Sequence, residues 1–137
     1  GRDGVSSNTA SCVVRIRHRG VSLLLTGDVT RTRELAMVRF WREQLKADVL
    51  VAAHHGSTTS NTWTMLKWVQ PRYVLISAAR TSRFGHPHPD VVARFNALGA
   101  RVINSAKTGT FTLSIFDSGA VALHSTRGPW LPFWLQL

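Results

Sequence analysis

Between positions 11 and 18 apolar and basic residues trade places, with Val13, Val14 and Ile16 set against Arg15 and Arg17. A period close to two reads as a strand. Arg19-Gly20 supplies a turn and 21–25 is a second apolar run, so 11–25 predicts a β-hairpin. The run breaks at Thr26-Gly27-Asp28, and after it the period changes. Leu35, Val38, Trp41 and Leu45 recur near helical spacing. That spacing predicts a helix over 31–45, with Thr30 as its N-cap and those residues as its buried face.

Strand-like and helix-like patterns keep alternating. The apolar run at 48–53 predicts a buried strand, 54–60 a loop rich in Ser, Thr and Gly, and 61–69 a short helix stopped by Pro71. A strand is expected at 73–77 and an exposed loop at 78–88. Pro89 suits the first position of a helix over 89–98, and Gly99 suits its stop. Further strands are expected at 101–104, 109–116 and 120–124. The tail, 126–137, is aromatic and broken by Pro129 and Pro132. It is expected to pack back over the core, the sharper alternative being contact with a membrane surface or a partner. The alternation implies an α/β (α+β) layered fold, a mixed sheet with flanking helices. At 137 residues the chain suits one domain with a real core better than two, so 1–137 is taken as a single domain.

Charge changes the picture. Lys and Arg number 17 against 7 acidic residues, a formal charge of +10, and nearly all of the excess is arginine. Such an excess favours a polyanionic partner, nucleic acid before an anionic membrane surface; an arginine-rich proteome would produce it too. The hydrophobic fraction, 44%, excludes a disordered chain. The lone cysteine, Cys12, falls inside the first strand-like run and rules out an internal disulfide framework. No stretch reaches the roughly 18 apolar residues of a membrane span, and no signal-peptide pattern opens the chain. The start, Gly1-Arg2-Asp3-Gly4, reads as a cut within something larger.

The candidate chemistry lies where three apolar runs end: at Gly27-Asp28, at His54-His55-Gly56-Ser57 and at Gly85-His86-Pro87. Carboxylate and imidazole from separate strand ends could form a site for manganese or zinc. Asp28 fits equally well as a turn or helix cap beside Thr30. His54 and His55 are adjacent on a strand end, where neighbours point opposite ways, so only one of them is expected to face the site. The hydroxyls of Ser57 and Ser60, ahead of a helix N-terminus, could hold a phosphate, or simply satisfy the start of that helix. His86 could ligate a metal or donate a proton. His88 is expected to cap the next helix, and His18 and His124 to be surface or packing residues. Arg80 and Arg83 in the exposed loop, and Lys107 in its Lys-Thr-Gly turn, complete the candidate phosphate contacts, although a solvated turn is the plainer account of Lys107. No nucleophile triad, P-loop or dinucleotide fingerprint is present.

Taken in order, Asn8-x-x-Ser11, the Leu-Leu-Thr-Gly-Asp run ending at Asp28, Ala47-Asp48-Val49-Leu50 leading to His54-His55-Gly56-Ser57-x-x-Ser60, and Phe84-Gly85-His86-Pro87 resemble the ComEC family of competence proteins. The similar region of that family is its C-terminal metallo-β-lactamase-like domain, and the resemblance runs from Asn8 to Ile115. Two departures stand out. Thr81-Ser82-Arg83 occupies the place where the family usually has an asparagine. The Asp-x-Gly-x-Gly and His-x-Asp-x-Asp-His runs of the first half of the fold do not occur.

The resemblance therefore implies the second half of an αββα sandwich with a two-metal groove. It implies Asp28 as the carboxylate bridging the metals, and His86 as the late histidine of the fold, with His55 or His54 as competing ligands. It also implies a membrane parent that takes up DNA during natural transformation. The domain would lie on the outer side of the bacterial inner membrane and hydrolyse phosphodiesters of incoming DNA with Mn2+ or Zn2+. The partners implied are DNA and the N-terminal remainder of the parent. Asp28 with one or two histidines is too small a ligand set for two cations, so the isolated chain is expected to be silent or nearly so. The alternatives are a DNA-binding or interaction module without chemistry, and a lactamase-like hydrolase of a small ester, which the charge disfavours.

Overall fold

The structure, a computed structural model, describes residues 10–127 and the backbone of 133–135. The predicted hairpin is present: β1 (Val14–His18) and β2 (Val21–Leu25) pair antiparallel from Val14↔Leu25 to His18↔Val21. Arg19 and Gly20 connect them with φ of 49° and 85°, the left-handed pair that a two-residue hairpin turn needs. β1 starts later than expected, so Cys12 precedes it, exposed and with a free thiol.

From β2 onward the strands add in parallel. β3 (Val49–Val51), β4 (Tyr73–Ile76) and β5 (Arg101–Asn104) complete a mixed five-stranded sheet in the order β1-β2-β3-β4-β5. Parallel neighbours need long crossovers. Helices make them: α1 (Arg31–Trp41) after β2, α2 (Trp63–Val69) after β3 and α3 (Pro89–Ala97) after β4. Pro89 and the His88 ring, which accepts the Asp90 N–H at 3.3 Å, start α3 as anticipated. A short helix, α4 (Ser105–Thr108), occupies what read as a turn. A second, antiparallel sheet follows, made of β6 (Phe111–Ile115), β7 (Val121–Ser125) and β8 (Phe133–Leu135). Of the aromatic tail, β8 pairs its backbone with β7; positions 128–132 and 136–137 lie outside the described residues, as does what the tail's side chains cover.

Strand alternation sorts the side chains onto two faces. Leu24, Leu50, Val74 and Ile76 meet Leu66 and Phe95 in the core beneath the helices. Val49, Leu75 and Ile103 point the other way, against Phe111, Leu113 and Leu123 of the second sheet. The layers are thus helices, five-stranded sheet, three-stranded sheet. The central strands are covered on both sides, which is why they read as unbroken apolar runs.

α1 turns inward only part of the face its apolar spacing suggested: Val38 and Leu45 reach the core, but Leu35 and Trp41 do not. Leu35 and Trp41 are 46% and 54% exposed, whereas Glu34 is 1% exposed and Met37 and Val38 pack on the core. The cause is polar. The Glu34 carboxylate accepts the backbone N–H groups of Asn61 at 2.6 Å and Thr62 at 2.8 Å, donors at the start of α2 that would otherwise be buried without partners. The helix also ends earlier, and a 3-10 turn, Arg42–Leu45, delivers Leu45 to the core.

Candidate functional site

Three turns lie side by side beyond the carboxyl ends of β2, β3 and β4, where open α/β sheets place their ligands. They are fastened to one another through the backbone. His54 N–H donates to the Gly27 carbonyl at 3.0 Å, and His88 N–H donates to the Gly56 carbonyl at 3.0 Å. The Thr26 hydroxyl donates to the Val51 carbonyl at 2.8 Å. Gly56 has φ +82°, and a Cβ there would meet the Pro87 Cβ at 2.7 Å, so only glycine lets the second turn close on the third. Within the third turn the Ser82 hydroxyl accepts the N–H groups of His86 at 3.1 Å and Phe84 at 3.3 Å.

The histidine pair departs from expectation. His54 and His55 do not end a strand; they sit in a turn over Ala53–Gly56 whose backbone is left-handed at both residues, with φ of 49° and 55°. The up-and-down alternation of a strand therefore does not apply, and both rings join the site. His55 Nε2 lies 4.0 Å from Asp28 Oδ1. The His54 ring stands edge-on to that of His86, with centroids 5.7 Å apart, and 6.4 Å from that of His55. Two consecutive left-handed residues cost roughly 1–2 kcal/mol each, so the turn must be held. Asn61 holds it. Its Oδ1 accepts Ala53 N–H at 3.0 Å, and its Nδ2 donates to the carbonyls of Ala53 at 3.0 Å and Ser57 at 3.3 Å. Asn61 is in turn fixed by Glu34.

The protonation pattern follows from the partners. His55 Nδ1 lies 2.8 Å from the Ser77 carbonyl oxygen, which can only accept, so Nδ1 carries the proton. In the neutral ring the lone pair is then on Nε2, the atom facing Asp28. This backing is the arrangement of a metal-binding imidazole. At bonds of about 2.0–2.2 Å two donors of one tetrahedral ion stand roughly 3.3–3.6 Å apart, so Asp28 and His55 would have to close by a few tenths of an ångström to share an ion. Burial, and then the neighbouring His54, His55 and His88, hold the His86 imidazole below its ordinary pKa of 6.5. Among the described residues, however, no three carboxylate, imidazole or thiol groups converge closely enough to hold a metal ion.

The hydroxyls of Ser57 and Ser60 are used internally. Ser60 is fully buried and donates to the Val29 carbonyl; Ser57 is 5% exposed and accepts Thr59 N–H at 3.2 Å. The helix N-terminus beside them is filled by the Glu34 carboxylate. Both serines brace the loop in this structure, and neither presents a free hydroxyl to a phosphate. Arg83 lines a cavity of about 380 Å3 shared with His55 and His86. Arg80 and Lys107 border a larger groove that His86 also walls. Sequence reasoning missed Glu34, Asn61 and Ser82. Asn61 had one readable cue, a polar residue adaptable to positive φ just ahead of the Thr62 cap. Glu34 looked like an ordinary acid in the first turn of a helix.

No family model matches the chain. It is 31% identical over 121 residues to competence protein ComA of Neisseria gonorrhoeae, covering 88% of this chain and 18% of that protein. It is 33% identical over 108 residues to ComE operon protein 3 of Bacillus subtilis, covering 79% and 14% respectively. It is 30% identical over 132 residues to recombination protein 2 of Haemophilus influenzae, covering 96% and 16%. The chain thus spans less than a fifth of the length of each of these relatives. The matches cover 79% to 96% of this sequence, and the chain belongs to the ComA/ComEC family of competence proteins, of which it represents one region.

Proposed function

We propose that this chain is the second half of a metallo-β-lactamase-like αββα sandwich in a DNA-uptake protein, and that the complete domain hydrolyses phosphodiesters of incoming DNA. The observation that carries this reading is the Asp28–His55 pair, 4.0 Å apart, with Nδ1 of the ring committed to Ser77 and Nε2 turned toward the carboxylate. The layering of helices, five-stranded sheet and second sheet agrees with such a half, and the names of the relatives agree with competence and recombination. Asp28 and His55 are the donors this chain would offer to Mn2+ or Zn2+, with His86 and His54 at the edge of the site. Divalent cations bound there would activate water and stabilise the charge of an in-line displacement. The remaining ligands come from the rest of a longer protein, whose membrane portion would set this domain on the outer face of the inner membrane.

A second reading, a DNA-binding module without chemistry, is favoured by the lack of a three-ligand cluster among the described residues. One experiment separates the two. In the full-length protein supplied with Mn2+, cleavage of linear DNA should fall at least 100-fold in Asp28→Ala, in the range of a lost electrostatic contribution to a transition state. Cleavage retained in that variant removes Asp28 from the chemistry. No cleavage by the full-length wild type over a range of divalent metals leaves the binding module.

A further inference from the structure

A groove of about 970 Å3 runs between α3, β5 and α4 on one side and β7 on the other, and His86 and Pro87 form part of its wall. Arg80, Arg101, Lys107 and Arg127 border it, and among the described residues no Asp or Glu does. These cations come from separate places in the fold: the loop after β4, β5, α4, and the end of the second sheet. All are exposed. A cleft lined by one sign of charge focuses its field outward and draws an anionic partner toward it. A small buried anion would be met by converging, enclosed donors. Here the charges are spread along an open trough, which suits a charge repeated along a polymer. Among the described residues no aromatic ring lines the groove, and what its cations offer is contact through phosphate, which carries no sequence information.

We propose that this groove is the track that holds the sugar-phosphate backbone of DNA and leads it to the Asp28–His55–His86 turns, with Arg80, Lys107 and Arg127 as the phosphate contacts. The destination rests on the function proposed above; the binding does not. The test uses the full chain and a fluorescent mixed-sequence oligonucleotide titrated at several salt concentrations. In the double variant Lys107→Gln/Arg127→Gln, the slope of log affinity against log salt should shrink by about 1.4–1.8, and Kd near 0.1 M salt should rise roughly 25- to 60-fold, the loss of two released counterions. Arg33→Gln/Arg39→Gln, which removes equal charge from exposed positions of α1, should change Kd less than about twofold. Should the first pair fail to fold, as judged by its melting curve, Arg80→Gln/Lys107→Gln carries the same expectation.

An unchanged slope in the groove variant overturns the proposal. So does an equal loss in the α1 control, which would mean diffuse charge. So does normal DNA binding combined with lost binding to phosphatidylglycerol vesicles, which would make the groove a membrane contact. If the groove variant loses DNA as predicted while the full-length protein never cleaves, the track stands and the hydrolytic reading falls.

Discussion

Replacing Glu34 by glutamine tests the polar device that shapes α1 and, through Asn61, the histidine turn. Glutamine keeps the volume and one acceptor, but its amide nitrogen cannot accept. One of the two N–H groups, from Asn61 or Thr62, would lose its partner in a place where Glu34 itself is 1% exposed. A buried donor left unsatisfied costs about 1–3 kcal/mol. Opposing this, glutamine removes the cost of burying charge. Burial outweighs the hydrogen bonds from Thr62 and Asn61 and the nearby Arg31, and so raises the Glu34 pKa above its ordinary 4.5. The sign follows from that rise. The folded state holds the proton more tightly than the unfolded chain, so the stabilisation due to Glu34 is complete below 4.5 and is lost as pH climbs through the raised value. Destabilisation by glutamine is therefore greatest in mild acid and smaller at neutral pH.

At an unfolding entropy of about 2.1 cal/mol/K per residue, a loss of 1–3 kcal/mol is a fall of roughly 3–10 °C in Tm for a chain of this length. Melting curves followed by circular dichroism at a series of pH values read the effect directly. Amide shifts at Ala53–Gly56 report whether the histidine turn loosens with it. A variant as stable as the wild type in mild acid, or one whose disadvantage grows as pH rises, refutes the account.

Gly56→Ala should cost about 2 kcal/mol or more, because it combines positive φ with a Cβ only 2.7 Å from that of Pro87. Gly85→Ala, at φ +66° with open space around it, should cost only about 1–2 kcal/mol; calorimetry showing the two equal would remove the Gly56–Pro87 contact as a constraint. His86 should titrate below 6.5 by NMR, since burial and the adjacent imidazoles disfavour its charged form. Its contribution to stability should thus be present above pH 6.5 and lost as pH falls through the lowered value, and a His86→Phe variant should lack that acid-side loss.

The strands and α3 were legible because each is a short apolar run or amphipathic stretch bounded by Gly, Pro or a capping residue, so local sequence and final structure agree. The orientation of α1 was legible only in part, at Val38 and Leu45 but not at Leu35 and Trp41. What turns it is a carboxylate satisfying backbone donors 27 and 28 residues away, and no local pattern encodes that. The site divides in the same way. Asp28, His54, His55 and His86 were marked by the ends of apolar runs, and the structure gathers them. The strand end expected at the histidine pair is instead a turn, with both residues at positive φ and braced by Asn61, and of the two it is His55 that comes within reach of Asp28. Ser57 and Ser60 read as anion-binding hydroxyls because a helix start follows them; the chain's own Glu34 already fills that start.

The strand order β1-β2-β3-β4-β5 has a consequence for how the molecule assembles. Every strand's neighbour in space is also its neighbour along the polypeptide, so no strand has to thread between two that are already joined. As the chain leaves the ribosome, each β–α unit extends a single growing edge, and the loop to be closed is never longer than one crossover helix with its turns. The slow search usually demanded of parallel pairing is divided into short steps taken in order of synthesis. The three turns that carry Asp28, His54, His55 and His86 would be completed one after another as that edge advances.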